Sequence, residues 1–145
     1  MKEAIGTSYV FSLVITFVGI LIAMFVGSIA YTKGFKVRNK IIDIIDKNEG
    51  YTLTVNGARD QIDESLASIG YRIVDKECPT KKGVDSIAQS DYRYCVYEYT
   101  NEQKGTYYGV TVFIHFDIPL IGNFIEIPIY GESRLIFDKD KIKEA

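Results

Sequence analysis

The chain has 145 residues and a near-balanced charge, 17 Lys and Arg against 19 Asp and Glu, for a net of −2. That balance argues against the basic surface that nucleic-acid binding needs. One His and two Cys leave too few ligands at the right spacings for a zinc ribbon or a redox cysteine pair.

Residues 1–8 form a short polar segment in which Thr7 or Ser8 is placed to cap a helix. Residues 9–30, YVFSLVITFVGILIAMFVGSIA, carry no charge; Glu3 is the last charge before them and Lys33 the first after. An uncharged run of that length is enough to cross a hydrocarbon core as a helix, and without Pro nothing kinks it. Gly19, Ala23 and Gly27 recur every fourth residue and share one helix face. Small residues there let a second helix approach closely, which in lipid is a main source of association. The partners this predicts are the membrane and another helix, either from a second copy or from an assembly protein.

Residues 31–50 keep a helical period, with Val37, Ile41, Ile44, Ile45 and Asn48 on one side and Lys40, Asp43 and Lys47 mostly on another. The helix is expected to run on as an amphipathic stem to about Asn48, ended by Gly50, with Gly34 allowing a bend at the interface. Tyr31 and Phe35 fall at headgroup level. Lys33, Lys36, Arg38 and Lys40 crowd this flank, which by the positive-inside rule puts the C-terminal domain in the cytoplasm. Against that, Asp43 and Asp46 are interspersed, and translocated domains do not always obey short-loop charge counts. Cleavage of a signal peptide after Ser28-Ile29-Ala30 is a third option, although the basic n-region is weak and the apolar run long.

Residues 51–145 suffice for one small domain. Residues 51–55 alternate like a short strand before the Asn56-Gly57 turn. The stretch ARDQIDESLASIG sets Ala58, Ile62, Leu66 and Ile69 on one stripe and is closed by Gly70, a short amphipathic helix. Residues 71–75 read as a strand and 76–91 as a polar loop holding Cys78. Three stronger strands complete the chain. YRYCVYEYT is dense in Tyr and Val, and TYYGVTVFIHFDI alternates, giving a buried face of Tyr108, Val110, Val112, Ile114, Phe116 and Ile118 against a mixed face of Thr111, Phe113, His115 and Asp117. In FIEIPIYGESRLIFD, Ile125, Ile127, Ile129, Leu135 and Phe137 point one way, while Pro128 and Gly131 mark an edge or bulged strand. The fold class is therefore α+β: a long N-terminal helix, then an antiparallel meander with one short helix.

No catalytic constellation, cofactor site or metal site emerges. His115 and Asp117 share a strand face, as a base and its orienting acid would, yet no nucleophile in a strand-turn-helix setting accompanies them. Asp60, Asp63 and Glu64 lack the alternating oxygen ligands of a calcium loop and read as a solvated helix face. Cys78 and Cys95 enclose sixteen residues. Outside the cytoplasm they would form a disulfide worth about 3 kcal/mol by loop entropy; inside it they would be two thiols.

The layout of apolar helix, amphipathic stem and closing antiparallel strands resembles a pilin or pseudopilin. In its tail, GVTVFIHFDIPLIGNFIEIPIYGESRLIF, it is similar to the minor pilins of the tight-adherence (TadE-like) group; AYTKGFKVRNKIIDIIDKNEG occupies the place of that family's stem. The resemblance implies a non-enzymatic pilus or pseudopilus component at the cell surface, an outward-facing domain and hence a Cys78–Cys95 disulfide. It departs at one point: processed type IV prepilins carry Glu five residues beyond a cleaved Gly, whereas Gly6 is followed at that distance by Phe11. This leaves an unprocessed assembly component or a priming subunit. The alternative is an unrelated single-span protein that tethers an extracytoplasmic binding module.

Overall fold

A computed structural model describes residues 2–71, 77–81, 86–89, 94–101, 105–116 and 125–137. Helix α1, Lys2–Lys47, is a single uninterrupted rod of 46 residues, about 69 Å long at 1.5 Å per residue. It carries no Pro, and the hydroxyls of Thr7, Thr16 and Thr32 donate to the carbonyls of Glu3, Ser12 and Ser28 one turn back. Those donors are thereby satisfied inside the helix. The rod ends where Glu49 and Gly50 take positive φ and the Gly50 N–H returns to the Ile45 carbonyl, 3.0 Å away.

Beyond it, helix α2 spans Ala58–Ile69 and is succeeded by four strands, β1 Ser86–Gln89, β2 Tyr94–Asn101, β3 Gly105–Phe116 and β4 Ile125–Glu132. The strands pair antiparallel in chain order, a simple meander. Its central ladder sets Tyr94 against Val112, Val96 against Val110 and Val112 against Ile129. Side chains that face each other across such a ladder share one face. That face is covered by the lower half of α1: Val37, Ile41, Ile44 and Ile45 are buried among Tyr94, Val96, Val110 and Val112, and Ala58, Ile62 and Leu66 of α2 close the same core. The α+β layout is present, with the helices on one side of the sheet.

Local chemistry accounts for the departures from the sequence reading. Residues 51–55 are not a strand. Thr52 instead caps α2, its Oγ1 accepting the Ala58 N–H at 2.9 Å while its carbonyl accepts from Arg59. Leu53 and Val55 are left exposed in a turn. The stretch expected as loop contains β1, recruited by the free edge of β2, although SIAQ has little strand propensity of its own. Gly34 makes no bend. A Cβ there would come within 2.5 Å of Ile114 and 3.0 Å of Ile129, so the glycine lets the rod lie directly on the sheet. Pro128 sits in the outermost strand, where a missing N–H is tolerated. After Glu132 the β4 alternation lapses, and Leu135 and Phe137 are exposed; the segment stays tied to β3 by the Ser133 N–H to the Tyr108 carbonyl and by the Thr106–Ile136 bridge. The strand expected at residues 71–75 lies, beyond Tyr71, outside the described residues.

Candidate functional site

Three surfaces of the molecule have unusual chemistry. The first is the upper half of α1. Every large apolar side chain from Ile5 to Tyr31 is exposed, Ile5 at 72% and Met24 at 69%, and none of the most apolar stretch is buried against the rest of the chain. This one helix is long and apolar enough to cross a membrane. Gly19, Ala23 and Gly27 lie on it, and a Cβ at Gly19 would meet nothing within 4 Å. They are thus held in a row on a regular helix, with Gly19 and Ala23 exposed and Gly27 half-buried.

The second is the collar where the rod meets the domain. Lys33 Nζ donates to the Gly70 carbonyl at 3.0 Å, binding α1 to the end of α2. That end is closed by Gly70 itself, in the left-handed conformation at φ 67°. Arg38 stacks over Phe35 at 4.3 Å and donates through Nη1 to the Tyr130 carbonyl of β4 at 3.0 Å. Further down, Asp46 accepts from the Arg134 backbone and guanidinium at 3.0 and 3.2 Å. On the exposed side Lys47 donates to Asp43 at 2.8 Å and holds its carboxyl below the usual range. Two of the four basic residues of the flank therefore have structural partners in the domain.

The third is the back of the sheet. Cys78 and Cys95 form a disulfide with a Cα–Cα distance of 5.8 Å. It pins residues 77–81 over a second, smaller core of Cys95, Tyr97 and Phe113, which Tyr99 borders. The Tyr97 hydroxyl donates to the Pro79 carbonyl in this segment. At its end the Lys81 ammonium lies 4.4 Å from the centre of the Tyr97 ring and 4.3 Å from that of Tyr130, with the Tyr99 hydroxyl at 3.5 Å. A cation between two ring faces is attracted by both quadrupoles. Burial pushes the Tyr97 and Tyr130 hydroxyls to higher pKa; for Tyr130 the hydrogen bond to Glu132, 2.9 Å long, adds to it. This face was expected to be mixed, yet Thr111 and Phe113 are buried in it.

The remaining candidates have ordinary roles. His115 is half-buried and faces Glu126 across the β3–β4 ladder; Asp117 lies outside the described residues. Asp60 accepts the Asn56 N–H at 3.0 Å, and Asp63 pairs with Arg59 and accepts from Tyr94. No group of three His, Cys, Asp or Glu side chains among the described residues is arranged to hold a metal. Sequence reasoning passed over Lys81 and Tyr130 because nothing local joins them; they meet only when the disulfide folds one segment across the sheet.

No protein-family model, curated protein or solved structure matches this chain.

Proposed function

We propose that this chain is a single-span membrane protein, and that it works without catalysis as a minor-pilin-like component of a pilus or pseudopilus. The upper half of α1 lies in the bilayer and the sheet domain stands outside the cytoplasm. One observation carries the reading: a single unbroken helix is naked and apolar over its first thirty or so residues and embedded in a folded domain over the rest. A rod of that kind couples the bilayer rigidly to the sheet, as a stem must if helix packing in the membrane is to position a domain outside it. The disulfide supports the outward side, because such bonds persist in oxidising compartments.

Gly19, Ala23 and Gly27 form the helix contact in this reading. Replacing all three with Leu should abolish cross-linking to partner helices in the membrane while leaving the domain folded; cross-linking at the wild-type level would overturn the assignment. Thiol labelling of intact cells tests the side. Cys78 and Cys95 should react only after reductant is added, and labelling that requires lysis but no reductant would place the domain in the cytoplasm. The second reading, a tethered binding module, draws on the tyrosine-lined back face. A strain lacking the chain but assembling surface filaments normally would favour it.

A further inference from the structure

The collar contains a cavity of about 120 Å³ that none of its hydrogen bonds fills. It is lined by Ala30, Lys33 and Gly34 of α1, by Ile114 and His115 at the end of β3, and by Gly70 and Tyr71 after α2. Tyr71 fixes one wall by donating to the Phe113 carbonyl. The cavity opens where the apolar run ends: Ala30 closes the uncharged stretch, and Lys33 lies three residues on, about 4.5 Å along the axis. Lys33 uses one of its three N–H donors on Gly70, which holds its ammonium at the rim with two donors to offer. The surrounding stretch of α1, residues 33–40, has four basic side chains and no acidic one. Above the cavity every large apolar side chain of α1 is exposed.

We infer that this cavity is a lipid site, taking the phosphate of an anionic phospholipid whose acyl chains lie along α1 above Ala30. The inference rests on the membrane reading of α1. Phosphate is the group expected at this depth below the hydrocarbon edge, and two ammonium donors in a positive collar suit it. A choline headgroup would bring a second cation beside Lys33 and is disfavoured. Ala30 matters for its size, since a longer side chain there would fill the opening. Bound lipid would fix how the sheet domain stands on the bilayer, because the same cavity joins α1, α2 and β3.

The test uses the full chain. Flotation with phosphatidylcholine vesicles comes first: a chain that fails to float removes the membrane reading and this site with it. For a floating chain, native mass spectrometry from detergent should show phosphatidylglycerol retained over phosphatidylcholine. Lys33→Gln and Ala30→Leu should each cut that retention about tenfold, the loss of one charge-assisted hydrogen bond or of the space. Lys33→Arg should preserve most of it, and Lys47→Gln, at the far end of the rod, should change nothing. Each variant is checked for an intact disulfide and wild-type unfolding. Equal retention of the two lipids, a Lys33→Gln protein that behaves like Lys47→Gln, or displacement of the lipid by millimolar inorganic phosphate would overturn the lipid site and leave the membrane span standing.

Discussion

The two halves of α1 are one continuous helix with opposite surroundings. From Gly34 to Lys47 its buried side chains are Val37, Ile41, Ile44 and Ile45, which fill the space over the sheet. At 100° per residue, Gly19, Ala23, Gly27 and Ala30 fall within about 50° of that same meridian. One face is therefore bulky where the chain supplies its own partner and small where it supplies none. A bulky face suits a sheet of alternating side chains, which offers gaps to fill. A small face suits another rod, which must come close before dispersion contacts form.

The largest expected effect separates the halves directly. Ile41→Ala removes a fully buried side chain from between α1 and the sheet, and should cost the domain about 2–5 kcal/mol in denaturant unfolding. Ile22→Ala, on the exposed half, should leave the same transition unmoved. If both variants shifted it equally, the upper helix would be packed against the domain and the contrast would fail.

The sheet offers a second contrast, between a face held by a helix and a face held by a tether. Replacing Cys78 and Cys95 together with Ser should cost about 3 kcal/mol by loop entropy. It should also free residues 77–81, so that Lys81 leaves the rings of Tyr97 and Tyr130 and limited proteolysis cuts near Pro79. The helix-covered core should keep its protection in hydrogen exchange. Protection lost equally from both faces would mean that the two are one cooperative unit.

Gly34 sharpens the comparison at the junction. Gly34→Ala sets a Cβ 2.5 Å from side-chain carbons of Ile114 and 3.0 Å from Ile129, both of which must shift, and should cost about 1–3 kcal/mol. Gly19→Ala meets nothing within 4 Å and should instead raise helix propensity slightly, leaving domain unfolding within about 0.5 kcal/mol of wild type. Thermal unfolding of the pair reads the difference.

These positions show what the sequence made legible. The uncharged run, the α2 stripe closed by Gly70 and the alternation of β3 are local patterns and the elements lie where they put them, although Ile69 at the end of the stripe is exposed and Thr111 and Phe113 are buried along with Val110 and Val112. The disulfide followed only conditionally, since spacing alone allowed both the bond and two thiols. What escaped depends on distant residues meeting. Gly34 read as a bend because a glycine's neighbours across a sheet are invisible in one dimension. Residues 51–55 read as a strand because Tyr, Leu and Val alternate with Thr there, whereas in the fold Thr52 bonds forward to Ala58 instead of joining a ladder. β1 was missed because β2 supplies the pairing that SIAQ does not demand, and the Lys81 cage because its three tyrosines come from two strands.

The smallest and most gradual prediction concerns alkali. Burial raises the hydroxyl pKa of Tyr51, Tyr97, Tyr108 and Tyr130 in the folded chain. All four belong to the domain, and Tyr108 lies against Gly50 at the foot of α1. In the unfolded chain a tyrosine loses its proton near pH 10. Above that pH the folded state binds more protons than the unfolded one, so stability falls as pH rises. The contribution is whole below about pH 10 and is lost as pH climbs through the folded values. Domain unfolding should move to lower temperature from about pH 10 upward, with tyrosinate absorbance in the folded protein lagging behind that of the denatured chain. Attachment of the exposed half of α1 to vesicles should not track this curve, because apolar transfer carries no proton. A domain whose melting stayed level while its tyrosines titrated like free ones would show that these rings are open to water, and the clad half of the rod would lose its distinction from the bare one.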